Sequence, residues 1–304
     1  MAHVDWPLTV AGLLVGLLVG LTGMGGGALL TPVLVLLFRV EPLAAISSDL
    51  FTSLVMKPVG GAVHLRQRTV HWRLVGWLAV GSVPAAFLGA VAIGTLAHRA
   101  GLQDNLKLFI GWALCASVTL MFLRLALDRR NRQRDAANGT AENEEPVRIR
   151  VPRTLAIGVV GGFVVGMTSV GAGSLIIALL LLAYPALRPA RLVGTDIVQA
   201  IPLVASATLG HLLFGDVQFA LTTFLLLGAL PGVYLGARWS ARGPSAVIRP
   251  VIAAVLLASA LALLKVGTPV ILLGSAAALV LMAVLQRPRK VDPAPLSPEL
   301  EPVR

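Results

Sequence analysis

The sequence predicts an all-α, polytopic integral membrane protein made of two repeated halves. Hydrophobic residues occupy 57% of the 304 positions and charged residues only 13%, about half the charged share of a typical soluble domain. Apolar runs of roughly 17–25 residues recur, the length that a ~30 Å hydrocarbon layer requires of a spanning helix. A glycine-rich stretch at 20–30, GLTGMGGGALL, also returns at 166–176 as GMTSVGAGSLI, each time inside apolar sequence.

The duplication extends well beyond the glycines. With one residue inserted after the first stretch, Asp49 aligns with Asp196 and His64 with His211. The same offset aligns five further pairs: Val70 with Val217, Gly81 with Gly228, Pro84 with Pro231, Leu88 with Leu235, and Gly89 with Gly236. Two halves that share the order of their acids, histidines and prolines were built on one template.

Eleven apolar segments follow one another in a single membrane domain that takes in the whole chain. Five lie in repeat 1 (8–127), five in repeat 2 (154–265), and an additional transmembrane helix lies in 266–286. The predicted segments are 8–22, 26–38, 43–64, 72–97, 106–127, 155–168, 171–185, 190–214, 217–238, 247–265 and 268–286. A charged linker, 128–153, is predicted to be a mobile loop. The proline-containing residues 287–304 are predicted to be a disordered tail.

The net charge of +11 lies mainly in short loops, and it predicts how the chain is oriented in a cell (inner) membrane. Short cytoplasmic loops carry an excess of Lys and Arg. If the linker 128–153 is cytoplasmic, the basic loops and the C-terminal tail all fall inside: 65–71, 186–191, 238–249 and 287–304. The less basic loops then fall outside: 39–42, 98–105 and 215–216. Charges so distributed form no phosphate-binding face, and no nucleic-acid partner is expected.

An odd number of crossings or turns per repeat places the second half upside down relative to the first. Inverted repeats of this kind build many secondary transporters, whose substrate site lies near the membrane midplane between the two halves. The sequence therefore predicts two inverted repeats with a site between them. It is also compatible with a homo-oligomer in the lipid bilayer.

The segments that flank the glycines are shorter than ordinary spans. The 15 residues at 8–22 rise ~22 Å and the 13 residues at 26–38 rise ~20 Å, less than the ~30 Å core. We predict a broken helical hairpin in each repeat. Its glycine-rich tip would be buried in protein or line an aqueous cavity, since lipid cannot satisfy non-helical backbone. Whether hairpins 8–38 and 155–185 re-enter or span fully is left open.

The two tips, tip 1 (20–27) and tip 2 (166–173), are the predicted substrate-binding elements. A helix that begins at a tip presents free N–H groups and the positive end of its dipole, which favours an anion. Donors are expected near 26–28 and 173–175. The substrate-binding residues are predicted to be Thr22, Gly23, Gly25, Gly26 and Gly27, and Thr168, Ser169, Gly171 and Gly173. The alternative is that these small residues permit close helix packing.

The stretch 16–36, GLLVGLTGMGGGALLTPVLVL, resembles the first repeat of the TauE/SafE family of sulfite and organosulfonate exporters. The family pattern, GxxSGxxGxGGGxxxxPxL, is matched at Gly16, Gly20, Gly23, Gly25, Gly26, Gly27 and Pro32. Val19 stands where the family often has serine, and in repeat 2 so does Val165. Ala172 and Ala178 replace a glycine and the proline there. The resemblance, over about 8–265, implies an inner-membrane carrier that moves small sulfur-containing or organic anions, often outward.

Asp49 and Asp196 are acids inside apolar segments at equivalent depths. Asp49 is the seventh residue of segment 43–64, about 9 Å along the helix and so within the hydrocarbon layer. A carboxylate there costs ~2.5–3.5 kcal/mol and usually faces an interior cavity. One hypothesis is that one or both acids bind and release protons during transport. The other is that each caps the N–H groups of a tip or pairs with a cation.

Three further polar residues are candidate coupling or gating groups. Lys57 has Val204 in its place in repeat 2. It either faces the cavity and attracts the anion, or snorkels towards the cytoplasmic edge. His64 and His211 either gate the site and take up protons, or are hydrogen-bonded structural residues. No metal is expected, because no ligand set at suitable spacing surrounds either histidine and the single Cys115 excludes a thiolate cluster.

Pro84 and Pro231 lie inside segments 72–97 and 217–238 and are flanked by glycines. Proline removes one intrahelical hydrogen bond and bends a helix, so paired kinks are predicted at equivalent places. These kinks either shape the helices for packing or serve as hinges.

The sequence is compatible with three functions. The favoured one is a secondary transporter that exports small anions by alternating access, with proton coupling through Asp49 or Asp196. The alternative is an anion channel, although buried acids and kinked inverted helices suit a gated cycle better. An intramembrane enzyme is disfavoured, because no Ser–His or Asp–Asp pair has a diagnostic spacing. No cofactor is predicted, and the partners expected are a small anion and the bilayer.

Overall fold

The structure is a computed structural model and describes residues 5–22, 27–66, 70–97, 103–138, 149–184, 187, 189–240 and 248–286. These residues form eleven α-helices and contain no strand. The helices are α1 Trp6–Thr22, α2 Gly27–Leu36, α3 Pro42–Arg66, α4 Trp72–Ala97, α5 Gln103–Asn138, α6 Val151–Thr168, α7 Leu175–Ala183, α8 Pro189–Phe214, α9 Phe219–Ser240, α10 Ile248–Leu263 and α11 Thr268–Gln286. The predicted all-α fold class is confirmed.

The eleven helices follow the eleven predicted segments, with one difference in kind. The predicted mobile linker begins as a helix, because α5 continues to Asn138. Residues 128–138, DRRNRQRDAAN, contain neither Gly nor Pro, and Arg, Gln and Ala favour helix. Their polarity excludes them from lipid but not from a helix that extends beyond it. Residues 139–148 and the predicted tail at 287–304 lie outside the described residues.

Six of the described helices are long and apolar enough to cross a membrane. They are Trp72–Ala97, Asn105–Leu127, Val151–Thr168, Arg191–Phe214, Phe219–Trp239 and Thr268–Gln286. α3 has a sufficient length of 25 residues, but Ser47, Ser48, Asp49 and Lys57 lower its hydropathy. Large apolar side chains remain exposed on the outer helices, and α11 has 11% of its spanning window buried. Such a surface suits lipid, and the protein is a multi-pass membrane protein.

Several helices begin where a proline pre-sets the backbone. Proline lacks the N–H that the first helical turn leaves unpaired, and its fixed φ suits the first positions of a helix. α3 begins at Pro42 and α8 at Pro189, which are equivalent positions in the two repeats. α6 carries Pro152 in its first turn. The same local signal therefore begins the helix that carries the buried aspartate in each half.

Glycines four residues apart bring α1 against α9 and α6 against α4. A Cβ added to any of these glycines would approach a backbone carbonyl of the facing helix too closely. On α1 they are Gly12, Gly16 and Gly20, against Leu225, Ala229 and Val233; on α6 they are Gly158, Gly162 and Gly166, against Leu78, Ser82 and Ala86. The two rows are copies of each other through the duplication. Small residues here permit close backbone approach, the packing alternative for this part of each repeat.

The glycines beside the paired prolines lie in the same two interfaces. Gly81 faces the backbone of Leu155, and its equivalent Gly228 faces the backbone of Thr9. Pro84 and Pro231 lie within the uninterrupted helices α4 and α9. The glycines that flank them therefore serve helix packing, which favours a packing role over a hinge at these places.

The helix contacts are reciprocal between the repeats. α1 of repeat 1 packs on α9 of repeat 2 as α6 of repeat 2 packs on α4 of repeat 1, while α3 and α8 pack on each other. Two hydrogen bonds follow the same rule. The His71 N–H donates to Thr195 Oγ1 at 3.0 Å, and the Gln218 N–H donates to Ser48 Oγ at 3.3 Å. This exchange is what a two-fold relation between the halves requires, and the inversion of one half relative to the other stays a prediction.

Candidate functional site

Tip 2 interrupts the chain between α6 and α7 with backbone in the left-handed region. Ser169 has φ 59°, Gly171 φ 115° and Gly173 φ 103°. Glycine takes such values at little cost, whereas serine at positive φ is strained, and strain of this kind concentrates at functional sites. The glycines at 171 and 173 are therefore required by the backbone of the tip itself.

The second arm of this hairpin returns to the start of the first. Tyr184, directly after α7, has its hydroxyl 2.6 Å from Thr154 Oγ1 near the beginning of α6. The Arg150 N–H donates to the same hydroxyl at 3.1 Å. The start of α6 and the end of α7 therefore lie together. Tip 2 separates two helical arms of unequal length, 18 residues in α6 and nine in α7.

Two of the three predicted free donors of tip 2 are not free. The N–H groups of Ser174, Leu175 and Ile176 all approach the Gly171 carbonyl oxygen, at 3.2, 3.0 and 3.4 Å. Thr168 is also engaged: its hydroxyl donates to the Val164 carbonyl at 2.7 Å and accepts the Val170 N–H at 3.1 Å. The prediction of free N–H groups at 174 and 175 is therefore wrong, because the Gly171 carbonyl oxygen accepts both of them at the start of α7.

Tip 2 lies against the beginning of α2. Gly27 is buried, and a Cβ at this position would overlap the Ser169 carbonyl and lie 2.6 Å from the Ser169 hydroxyl. Of the predicted tip 1 residues, Gly23, Gly25 and Gly26 lie outside the described residues, and the Thr22 side chain is not described either. The described end of tip 1 thus touches tip 2, which brings the two glycine-rich elements together inside the protein.

Asp49 is fully buried and well satisfied. Thr31 on α2 donates to Asp49 Oδ2 at 2.5 Å, and Ser53, one turn along α3, donates to Oδ1 at 3.3 Å. The Ser169 hydroxyl lies beside the same carboxylate without completing a hydrogen bond of ordinary geometry. Asp49 therefore ties α3 to the half-helix α2, close to the contact between the tips.

Asp196 is buried, with 1% of its surface exposed, yet neither of its carboxylate oxygens has a hydrogen-bond partner. The Gly173 N–H is directed towards it but does not reach bonding geometry. Lys57 and Arg124 act on it electrostatically. Burying a carboxylate without a hydrogen-bond partner is costly, and its role in proton coupling stays a prediction.

Other polar groups near Asp196 in the fold are also unpaired. Gln199, three residues further along α8, donates from Nε2 to Ser82 Oγ at 2.6 Å, while its Oε1 has no partner. The hydroxyls of Ser169 and Ser174 are likewise buried without a partner. The two serines flank the glycines of tip 2, so unpaired groups occur on both α8 and the tip.

Lys57 lies in the interior and interacts electrostatically with both aspartates, more strongly with Asp196 than with Asp49. Its side chain as a whole is half-buried, and its ammonium group is at the buried end. Within α3 it lies two helical turns from Asp49, about 12 Å along the axis. Of the two interpretations of Lys57, the one in which it faces the cavity fits this placement.

His211 is fully buried and joins three helices. Its Nε2 lies 2.8 Å from the Gly166 carbonyl oxygen at the end of α6, and its Nδ1 lies 2.8 Å from Ser47 Oγ on α3. The Gly166 carbonyl can only accept, so Nε2 carries the hydrogen. These bonds favour the structural interpretation of His211. His64 lies in α3, and its side chain is not described.

The chain matches the sequence model described as "Sulfite exporter TauE/SafE" over residues 8–263. The protein belongs to the TauE/SafE family. The "Probable membrane transporter protein YjnA" of Bacillus subtilis is 38% identical over 261 residues, which cover 84% of this chain and 98% of that protein. "Probable membrane transporter protein YdhB" of the same organism is 26% identical over 248 residues, or 79% and 91% of the two chains. No solved structure matches the chain significantly.

The side chains of five residues in the site of this TauE/SafE protein are not among those predicted from the sequence: Thr31, Ser53, Arg124, Ser174 and Gln199. Two of them could have been found from helical spacing. Ser53 follows Asp49 by four positions and Gln199 follows Asp196 by three, which places each on the same helix face as its aspartate. The interactions of Thr31 and Arg124 depend on packing between helices, for which the sequence offers no signal. Within the described residues, no group of three potential metal ligands is present.

Proposed function

We propose that this TauE/SafE protein is a secondary transporter that exports small anions, with proton coupling, by alternating access. The observation that carries the proposal is the contact of Gly27 with Ser169 beside two buried carboxylates and an interior lysine. In secondary transporters, broken helices meet near the midplane and hold both the substrate and the coupling ion. The family model is described as a sulfite exporter, and the resemblance noted in the sequence adds sulfur-containing and organic anions as the substrate class.

The arrangement of charge supports an anion that travels with a proton, so export occurs when the outward gradient of the anion exceeds the inward gradient of the proton. Two carboxylates face one interior lysine, with Arg124 acting on Asp196 as well. A substrate anion entering such a site meets repulsion from any ionised carboxylate, and that repulsion is strong where water is scarce. Protonation of a carboxyl group removes the repulsion between that group and the anion. Anion binding and proton binding then favour each other.

A gated cycle accounts for the burial of the site better than an open channel does. Asp49 and Asp196 are 0% and 1% exposed, whereas a conducting pore keeps its selectivity groups in contact with water and ions. The reciprocal packing of α1 on α9 and of α4 on α6 supplies two similar units. In an alternating-access cycle, these units open the site first to one face of the membrane and then to the other.

We further propose that the protein resides in the cell (inner) membrane with the linker 128–153 and the C-terminus in the cytoplasm. The support is the excess of arginine in the loops on that side. A reporter active only in the cytoplasm, fused within 139–148 and at the C-terminus, tests this orientation. Activity of both fusions is expected, and an inactive reporter in either fusion, in cells that contain the full-length fusion protein, would overturn the topology and the inverted repeat with it.

The transport proposal is tested with purified protein in proteoliposomes. Sulfite, sulfoacetate, taurine and acetate are supplied in turn, with and without a pH gradient across the vesicle membrane. Saturable flux of at least one anion that increases with the gradient is expected. Fast, unsaturable conductance would support the channel, and absence of flux with every anion would contradict transport of this substrate class.

A further inference from the structure

The duplication gives the two buried aspartates equivalent positions, but their surroundings differ. Asp49 accepts hydrogen bonds from Thr31 and Ser53. The equivalent positions around Asp196 are Ile177 and Ala200, which have no hydroxyl to donate. Both oxygens of Asp196 are accordingly unpaired. Since the duplication, the repeats have diverged: Asp49 accepts hydrogen bonds from neighbouring hydroxyls, and Asp196 has none from the equivalent positions.

The basic residues are unequally distributed too. Lys57 occupies the position that Val204 fills in repeat 2, and Asp196 is its foremost electrostatic partner. Repeat 1 thus supplies two basic groups, Lys57 and Arg124, that act on the aspartate of repeat 2.

The other charges around Asp196 are few. Arg124 on α5 is the second basic group that acts on it. Of the remaining helices packed on α8, α4 and α6 carry charge only in their first turns, at Arg73 and Arg153, and α7 carries none. On α8 itself, Arg191 lies five residues before Asp196, and His211 is bound to Gly166 and Ser47. After burial itself, Lys57 and Arg124 are the groups that act on Asp196.

We propose that Asp196 alone carries the transported proton, that Lys57 is exchanged between Asp196 and the substrate anion, and that Asp49 is a structural tie. This inference rests on the proposed function and names the roles within its site. When an anion approaches Lys57, Asp196 loses its counter-charge and accepts a proton from hydronium, which leaves as water. One O–H bond of hydronium breaks as the O–H bond of the carboxyl forms, so a monovalent anion and its proton enter the site together without changing its net charge.

The same neighbours disfavour a metal cation as the coupling ion. Asp196, Gln199 and Ser174 each have a buried oxygen without a hydrogen-bond partner, and oxygen atoms are the ligands that hard cations prefer. Lys57 and Arg124, however, act on that carboxylate with positive charge, and like charges repel strongly at low dielectric. A proton bound covalently to Asp196 avoids this repulsion, because the product is a neutral carboxyl.

The experiment compares Asp196→Asn with Asp49→Asn, the same substitution at the equivalent position. Each variant is reconstituted with a pH-sensitive dye inside the vesicles, and proton and anion fluxes are measured with the panel of sulfite, sulfoacetate, taurine and acetate. In Asp196→Asn we expect downhill anion flux that no longer moves protons or responds to the pH gradient. In Asp49→Asn we expect the wild-type ratio of protons to anions, at whatever rate remains. Coupling that survives Asp196→Asn, or is lost only in Asp49→Asn, overturns the inference while leaving proton-coupled transport intact.

A second measurement does not depend on transport. Infrared difference spectra of each detergent-purified, monodisperse variant, recorded during a pH titration, report the C=O stretch of protonated carboxyl groups. A titrating signal from the membrane interior should be present in the wild type and in Asp49→Asn and absent from Asp196→Asn. If the wild type moves no anion of the panel, the proposed function fails and this titration still decides the role of Asp196. A signal unchanged by Asp196→Asn contradicts that role.

A third variant keeps the acid in place, in case Asp196→Asn does not fold. The double substitution Ile177→Thr with Ala200→Ser transplants the two hydroxyl donors of Asp49 to Asp196. Hydrogen bonds to a carboxylate stabilise its ionised form, so coupled transport should require a more acidic medium than in the wild type. An unchanged pH profile in a folded, active double variant would show that Asp196 does not carry the proton.

Discussion

Gly27 lies against Ser169 so closely that position 27 has no room for a side chain. One residue begins the half-helix α2 of repeat 1, and the other follows the long arm α6 of repeat 2. Because Ser169 also lies beside Asp49, the contact joins tip 2 to the acid of the opposite repeat. The packing of glycine on serine therefore sets the distance between the two halves at the proposed site.

Gly27→Ala should therefore impair the protein strongly. The added methyl would overlap the Ser169 carbonyl, which belongs to a constrained turn and cannot move as a flexible side chain can. Overpacking of this kind costs typically 1–3 kcal/mol, so we expect a lower midpoint of thermal unfolding in detergent and a loss of transport. Gly76→Ala on α4 is the matched control, since nothing lies within 4 Å of a Cβ there. Equal stability of the two variants would contradict the contact.

The tips also explain how far the sequence could predict the site. Apolar segments, glycine breaks and duplicated acids depend on local composition, and they indicated the helices and the meeting of the tips. The Gly171 carbonyl that takes the N–H groups of Ser174 and Leu175 depends on the turn's φ values, which the letters GAGS do not specify. The alignment of Thr31 with Ile177 shows that the two repeats differ at this position, but the hydrogen bond of Thr31 to Asp49 depends on the packing of α2 on α3.

The continuation of α5 through Asn138 was not predicted from the sequence, because hydropathy and helix propensity report different properties. Charge in 128–138 predicts that these residues leave the lipid, and they were accordingly expected to form a loop. Helix propensity, however, is set by backbone and rotamer entropy, for which Arg, Gln and Ala are favourable. Hydropathy thus indicated where the membrane ends but not where the helix ends.

The two glycine rows should respond alike to substitution. Gly16→Ala on α1 and Gly162→Ala on α6 would each drive a methyl into a facing backbone carbonyl, at Ala229 and Ser82. We expect both to lower the unfolding midpoint, each by an amount corresponding to about 1–3 kcal/mol. Gly267→Ala is the control, because the nearest atom to its added Cβ is 3.8 Å away in Pro269. A large effect of Gly16→Ala with none of Gly162→Ala would contradict the structural equivalence of the two interfaces.

Tyr184→Phe should loosen the base of the second hairpin. The substitution removes the hydroxyl that meets Thr154 Oγ1 at 2.6 Å and the Arg150 N–H at 3.1 Å. A lost intramolecular hydrogen bond costs about 0.5–1.5 kcal/mol, and the partners left unpaired add to that. The second tyrosine of the chain provides the control, since Tyr234 is 58% exposed. Thermal unfolding should therefore shift downward in Tyr184→Phe and stay unchanged in Tyr234→Phe.

Lys57→Met should weaken anion binding more than it weakens folding. Methionine keeps much of the apolar stem of lysine and removes the charge that acts on Asp196 and Asp49. Loss of ~1.4 kcal/mol of attraction to the anion corresponds to a tenfold change in affinity, so we expect the KM for transport to rise at least about tenfold. Lys57→Arg, which retains the charge, should restore most of the affinity. An unchanged KM in Lys57→Met, measured in vesicles containing equal amounts of folded protein, would remove Lys57 from the substrate site.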